Sequence, residues 1–240
     1  MTARAARAKG DLFGLDQRVY DAVFQAVMAN RLAPGTKLVE SVLCETLGVP
    51  RAVVRAGMSR LAQDRIVELR PNRGAVVASP SLEEAMQVYD ARRTIECAVV
   101  AQLAGRVTKR QLAPLRTGIG EAQAAFERGE TAHWIRLAGE FHVALAGLSG
   151  NEVLRDIVRG LVSRSNLITA LYLRPGQTVF SGALRVQLLD ALHRVPSDGS
   201  PDAPALMDGL LESIRRRLRI EPHPTRRIDP SMLREAATVE

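Results

Sequence analysis

The spacing of apolar residues divides the 240-residue chain into stretches of different period. Val19, Val23, Ala26 and Val27 recur at helical intervals and predict a helix over about residues 15–30. Val39, Val42, Leu43 and Leu47 predict a second, shorter helix. Gly48 follows it, where a helix C-terminus takes a left-handed residue. Pro50 suits the start of a third helix, because the first helical N–H has no intrahelical partner to lose. Val54, Met58 and Leu61 mark that helix's inner face. The period then becomes extended: residues 66–70 and 75–78 are short β-favouring runs joined by Pro71, Asn72, Arg73 and Gly74, a hairpin signal.

Beyond Ser79, Pro80 and Ser81, nearly everything has helical period. Six segments are expected, at roughly 81–105, 108–128, 131–149, 151–173, 178–194 and 203–219, with Ser81 and Glu84 forming a capping-box pattern at the first. Their links are short and marked by Gly129, Gly150 and Pro175 with Gly176, with one longer loop from Pro196 to Pro204, which predicts antiparallel neighbours in a bundle. The expected fold class is mainly α. An N-terminal winged helix-turn-helix with a small β-hairpin wing over residues 12–79 precedes an all-α antiparallel helical bundle over residues 80–219. Residues 1–11 are expected to be a disordered leader and 220–240 a loose tail with few apolar anchors.

Composition narrows the classes. The chain is 46% apolar but only 4% aromatic, which favours helices over a β-sandwich. Of the net charge of +7, residues 1–80 carry +5 and the rest +2, so the excess sits on the helix-turn-helix. A basic balance alone would suit RNA or an anionic membrane equally well. Cys44 and Cys97 have neither metal-ligand spacing nor a disulfide framework, no run reaches the length of a membrane span, and the first ten residues lack a secretion signal. The expected compartment is the cytoplasm.

The chemistry of the first region lies in its arginines. Arg51 and Arg55 stand four apart, opposite the inner face of the third helix, so both guanidinium groups project from its first turns. A planar guanidinium matches O6 and N7 of guanine and discriminates by roughly 1–3 kcal/mol. Arg51, Ala52 and Arg55 are therefore expected to face double-stranded DNA, with Arg73 and Gly74 at the hairpin tip reaching the backbone or minor groove. The competing reading is a merely solvated basic surface.

The pieces APGTKLVE, LGVPRAVVR and ELRPNRGAVV resemble the GntR family of bacterial transcription regulators. YDARRTIE, EFHVALAGLSGN and LLDAL resemble the helical effector domain of its FadR-like branch, the FCD domain. The resemblance covers about residues 12–219. It implies a homodimer that binds pseudo-palindromic operator DNA, expected here to be a repressor, and that changes DNA affinity when a small metabolite, commonly a carboxylate, enters the bundle. The chain departs from the family's pattern in two places. Where the family's helix entrance has Ser, Arg, Thr, Pro, Val, Arg, Glu, Ala, this chain has residues 50–57, PRAVVRAG; both arginines remain, while Gly57 costs about 1 kcal/mol of helix propensity relative to Ala. Many members of the branch also bind a divalent metal through one Asp and three His, and the matching positions here are Ala138, His142, Arg185 and Leu210. A single imidazole does not make a metal site, so no metal and no cofactor are expected.

Arg185 falls in register with Leu188 and Leu192, and Arg92 interrupts the stripe of Val88, Ile95, Val99 and Leu103. An arginine on an apolar face must find an anion or reach water. Two readings stay open. Arg185 with Arg92 clamps a carboxylate or phosphate of an effector, replacing the charge a metal supplies elsewhere; or the arginines make structural salt bridges, Arg92 with Glu96 or Glu140. His142 is either a pocket donor or a satisfied core histidine. An enzyme with His142 as general base beside Glu140 or Arg92 has no supporting motif, and no catalytic residue is expected. The alternative to effector control is a DNA-binding dimer whose pocket has decayed.

Overall fold

The computed structural model describes residues 3–70, 74–172, 180–193 and 202–218, with side chains from residue 14 onward. These residues fall in two compact units divided between Ser79 and Pro80.

In the first unit α1 (Ala3–Met28) buries Val19, Ala22, Val23, Ala26 and Val27. The helix begins well before residue 12 and takes in most of the stretch expected to be a disordered leader. That stretch is rich in Ala, Arg and Lys, all good helix formers. Asn30 adopts the left-handed conformation that ends the helix, at φ 56°. α2 (Glu40–Leu47) buries Leu43 and Leu47, and Gly48 ends it at φ 64°. Pro50, with φ −64° and ψ 152°, is the extended residue that precedes α3 (Arg51–Gln63).

α3 buries Val53, Val54, Gly57, Met58 and Leu61. Gly57 has a reason that helix propensity does not reveal: a Cβ there would stand 2.7 Å from Val19 Cβ and 2.9 Å from the Asp16 carbonyl oxygen. The missing side chain lets α1 and α3 approach closely. Polar contacts join the same two helices, Arg60 to Asp16 at 3.3 Å and to Gln17 at 2.7 Å, while Tyr20 donates to Asp64 at 2.7 Å.

The expected hairpin forms as β2 (Val67–Arg70) and β3 (Gly74–Val77), paired antiparallel with Arg70 opposite Gly74. A short strand the sequence pattern did not signal, β1 (Lys37–Leu38), pairs with the far side of β3, giving the order β1-β3-β2. Two residues are too few to show an alternating pattern.

The second unit contains α4 (Leu82–Leu103), α5 (Lys109–Glu127), α6 (Thr131–Gly147), α7 (Glu152–Tyr172), α8 (Gly182–His193) and α9 (Ala203–Arg215). Each lies within one of the six expected helical segments. α4 contacts α6, α7 and α9; α5 contacts α6 and α8; and α8 contacts α9, so the apolar faces close on a common core. Ser81 caps α4 through the Glu84 N–H at 3.0 Å, but the Glu84 carboxylate does not return to complete a box; it pairs with Arg164 of α7. A complete capping box forms at α5, between Thr108 and Gln111.

Candidate functional site

The first candidate surface is the outer face of α3. With Val53, Val54, Met58 and Leu61 committed to the core, the helical period turns Arg51, Ala52, Arg55 and Ala56 to solvent. The Arg51 and Arg55 side chains are each 64% exposed. Neither is a loose surface charge. Arg55 Nε donates to both oxygens of Glu40, at 3.0 and 3.1 Å, and Arg51 Nε stands 3.8 Å from Glu40 Oε2. Glu40 was missed from the sequence because it lies fifteen residues from Arg55, on a different helix. Gly74 is exposed at the start of β3, and Arg73 lies outside the described residues.

The second candidate site is a cavity inside the helical unit. Its walls include Tyr89 and Arg92 of α4, Ala138 and His142 of α6, Ser165 of α7 and Arg185 of α8. The structure thus gathers Arg92, His142 and Arg185 around one space. Ala138, at one of the family's metal-ligand positions, lines it too; Leu210, at another, is fully buried but not part of the wall.

The polar groups of this core form one chain. Arg92 Nε donates to Glu96 Oε1 at 2.6 Å and Arg92 Nη1 to Ser165 Oγ at 2.8 Å; the hydroxyl of Ser165 donates onward to the Val162 carbonyl at 2.9 Å. His142 Nδ1 meets Glu96 Oε2 at 2.5 Å. Of the two partners open to Arg92, Glu96 is the one used, while Glu140 turns outward and pairs with Arg136 at 2.5 Å. Glu96 occupies the inward position on α4 and Ile95 is only half-buried, so the apolar stripe expected through Ile95 is displaced by one residue. Ser165 and Thr169, four apart and both buried on α7, were also missed; their i, i+4 spacing within an apolar face was the available signal.

Electrostatics single out Arg185. Burial holds the His142 imidazole down at about 4, although Glu96 pulls the other way, so the ring is neutral at pH 7 and Nδ1 carries the proton donated to Glu96. Burial raises the Glu96 carboxyl, but the Arg92 charge outweighs it, helped by the hydrogen bonds from His142 and Arg92, and holds the carboxyl well below the usual carboxylate range. Arg92 and Glu96 therefore cancel. Arg185 is 2% exposed, and burial followed by the Arg92 charge lowers it to about 10, still protonated near neutrality. Among the described residues it has no carboxylate partner. Arg185 Nη1 donates to the Ser181 carbonyl at 3.2 Å, and its guanidinium lies 4.6 Å from the Phe180 ring centre and 5.6 Å from that of Phe141. Among the described residues, Arg185 Nε and Arg92 Nη2 are buried N–H groups without an acceptor. One net positive charge and two unmet donors at a common cavity are chemistry for an anion.

The cavity is small, about 30 Å³, room for about one or two waters or the head of a small anion. A larger groove of about 490 Å³ is lined by residues of α5 and α8, but there Arg116 is committed to Asp190 and, among the described residues, no buried donor is left bare. The four positions that carry metal in the resembling family contribute one imidazole here, and no cluster of three His, Cys, Asp or Glu side chains able to hold a metal occurs among the described residues. The residues present do not fit a metal ion.

Comparison with known proteins follows the division into two units. Residues 15–77 match the family described as bacterial regulatory proteins, gntR family, and residues 87–199 match the FCD domain. The HTH-type transcriptional repressor RspR of Escherichia coli K12 is 26% identical over 147 residues; the match covers 61% of this chain and 64% of that relative, so the chain spans less than two thirds of its length. The Nta operon transcriptional regulator of Aminobacter aminovorans is 29% identical over 133 residues, with 55% of this chain and 62% of the relative covered. Among solved structures, a GntR transcriptional regulator from Rhodococcus sp. RHA1 superposes with TM-score 0.64 at 23% identity, over 84% of this chain and 93% of that one. McbR/YncC of E. coli gives 0.54 at 19% identity, over 84% and 90%. At these identities the two structures show a shared fold. The gntR family is described as bacterial regulatory proteins, and both named relatives are transcriptional regulators.

Proposed function

We propose that this chain, which belongs to the GntR family of bacterial regulatory proteins and carries an FCD domain, is a cytoplasmic, homodimeric repressor that binds operator DNA and answers to a small organic acid. Arg51, Ala52 and Arg55 on the outer face of α3 meet the major groove, and Arg73 and Gly74 of the hairpin meet the backbone or minor groove. The observation that carries the DNA reading is the joint exposure of Arg51 and Arg55 on a helix whose opposite face is wholly core. The repressor named among the relatives supports the sign.

The effector enters the cavity of the helical unit with its carboxylate against Arg185 Nε and Arg92 Nη2, and no metal takes part. The Arg185 charge, which has no carboxylate partner among the described residues, supports this reading. Occupancy changes operator affinity to the extent that the anion binds one arrangement of the dimer better than another. Operator selected from a random DNA pool, followed by titration with organic acids in the presence and absence of a chelator, tests the whole proposal.

A second reading keeps DNA binding and the dimer but gives the bundle no effector. The small size of the cavity favours it. A panel of organic acids screened by thermal shift separates the two: an acid that raises the unfolding temperature supports the first, and no response across the panel supports the second.

A further inference from the structure

From the contacts around α3, we propose that Glu40 is a positioning residue that aims the arginines of the reading face. This inference rests on the proposal that α3 reads DNA.

Glu40 is the first residue of α2, and its carboxylate sits where helix dipoles favour negative charge. Arg55 reaches it across the turn with Nε alone, at 3.0 and 3.1 Å to the two oxygens. That edge of the guanidinium is thereby occupied. The Nη1 and Nη2 groups keep their parallel N–H bonds on the free edge, the pair that fits O6 and N7 of a guanine. Arg51 stands on the same carboxylate at 3.8 Å from Oε2, so one anion gathers both arginines. Without it, two long, exposed side chains lose their rotamer freedom only when DNA arrives.

Charge supplies an independent argument. An exposed ion pair contributes little to stability, and a carboxylate on a DNA-facing surface weakens attraction to a polyanion. A spectator at this position would be an electrostatic liability on every sequence. A positioning group costs general affinity but sharpens sequence choice. The two roles give opposite results for one substitution.

The experiment uses the full chain and the operator it selects from a random DNA pool. Single base-pair variants of that operator are measured with the parent and with Arg55→Ala, and the positions that lose discrimination in Arg55→Ala identify the base Arg55 reads. Glu40→Gln and Glu40→Ala are then measured on the same DNA and on random duplex, with unfolding temperatures to show that both fold as the parent does. The expected result is stronger binding to random duplex together with about a five- to tenfold loss of discrimination at the Arg55 position, larger for Ala than for Gln, which retains an acceptor. In an Arg55→Ala background, Glu40→Gln then changes discrimination at that position no further. If Glu40→Gln and Glu40→Ala bind operator and random DNA more tightly by the same factor, the positioning role is overturned while DNA reading stands. If the parent selects no sequence, both fall.

Discussion

His142 Nδ1 lies 2.5 Å from one oxygen of the buried Glu96 carboxylate, whose other oxygen takes Arg92 Nε at 2.6 Å. The carboxylate is thus shared between a neutral ring and a cation, and it is consumed in the process. Arg185, across the cavity, is left without an anion among the described residues.

The sharing fixes how stability varies with pH. His142 is depressed from its ordinary value of 6.5 to about 4, so the unfolded chain takes up a proton over that interval and the native chain does not. Stability is full above about pH 6.5 and falls as pH drops toward 4. Glu96, held at about 2, adds a second loss between about 4.5 and 2. Unfolding temperature measured from pH 8 to pH 4 is expected to decline below about 6.5, and His142→Asn is expected to flatten that decline. Identical slopes in parent and variant would remove His142 from the account.

Arg185 is expected to destabilise the ligand-free protein. Its guanidinium is buried against Phe180 and Phe141 with a bare Nε–H, and replacing an ill-compensated buried ionic group by an apolar one of similar volume is worth about 1–4 kcal/mol. Arg185→Met should therefore raise the unfolding temperature, by about 2–4 °C per kcal/mol, and at the same time abolish stabilisation by organic acids. A variant that unfolds earlier than the parent would mean that Arg185 is a structural member of the core.

Metal removal should be without effect. With Ala138, Arg185 and Leu210 beside a single imidazole, chelator is expected to leave both the unfolding temperature and the response to organic acids unchanged. A chelator-dependent shift of more than about 1 kcal/mol, restored by a divalent ion, would contradict this.

Gly57 sets two forces against each other. Alanine is favoured in a helix by about 1 kcal/mol, but a Cβ at this position meets Val19 Cβ at 2.7 Å and the Asp16 carbonyl at 2.9 Å. Overfilling a tight contact costs about 1–3 kcal/mol, and backbone yields less readily than a side chain. Gly57→Ala is expected to lower stability in denaturant titration. A gain in stability would show that α1 and α3 separate without cost.

Where the candidate sites were legible in the sequence, they were carried by local spacing. Period placed the helices, Gly48 marked the turn, and register alone turned Arg51 and Arg55 outward and Arg185 inward. Contacts between distant residues were not legible. Arg92 meets Ser165 across 73 positions and Arg55 meets Glu40 across fifteen, so no short-range pattern signals either pair. The reason for Gly57 belongs to the same class, because its close neighbour Val19 lies on another helix. The displacement from Ile95 to Glu96 has a different cause: hydrophobicity assigns the apolar residue inward, whereas a buried arginine and histidine draw in the carboxylate.

The central claim is that α3 reads DNA with Arg51 and Arg55, and the most direct measurement is binding to the selected operator across a range of salt concentrations. The parent should select a defined sequence and lose affinity steeply as salt rises. Arg55→Ala and Arg51→Ala should each cost about 1–3 kcal/mol on the operator and relax preference at one base position, with a far smaller loss on random duplex. No enriched sequence, or a parent affinity indifferent to salt and to both substitutions, would contradict it.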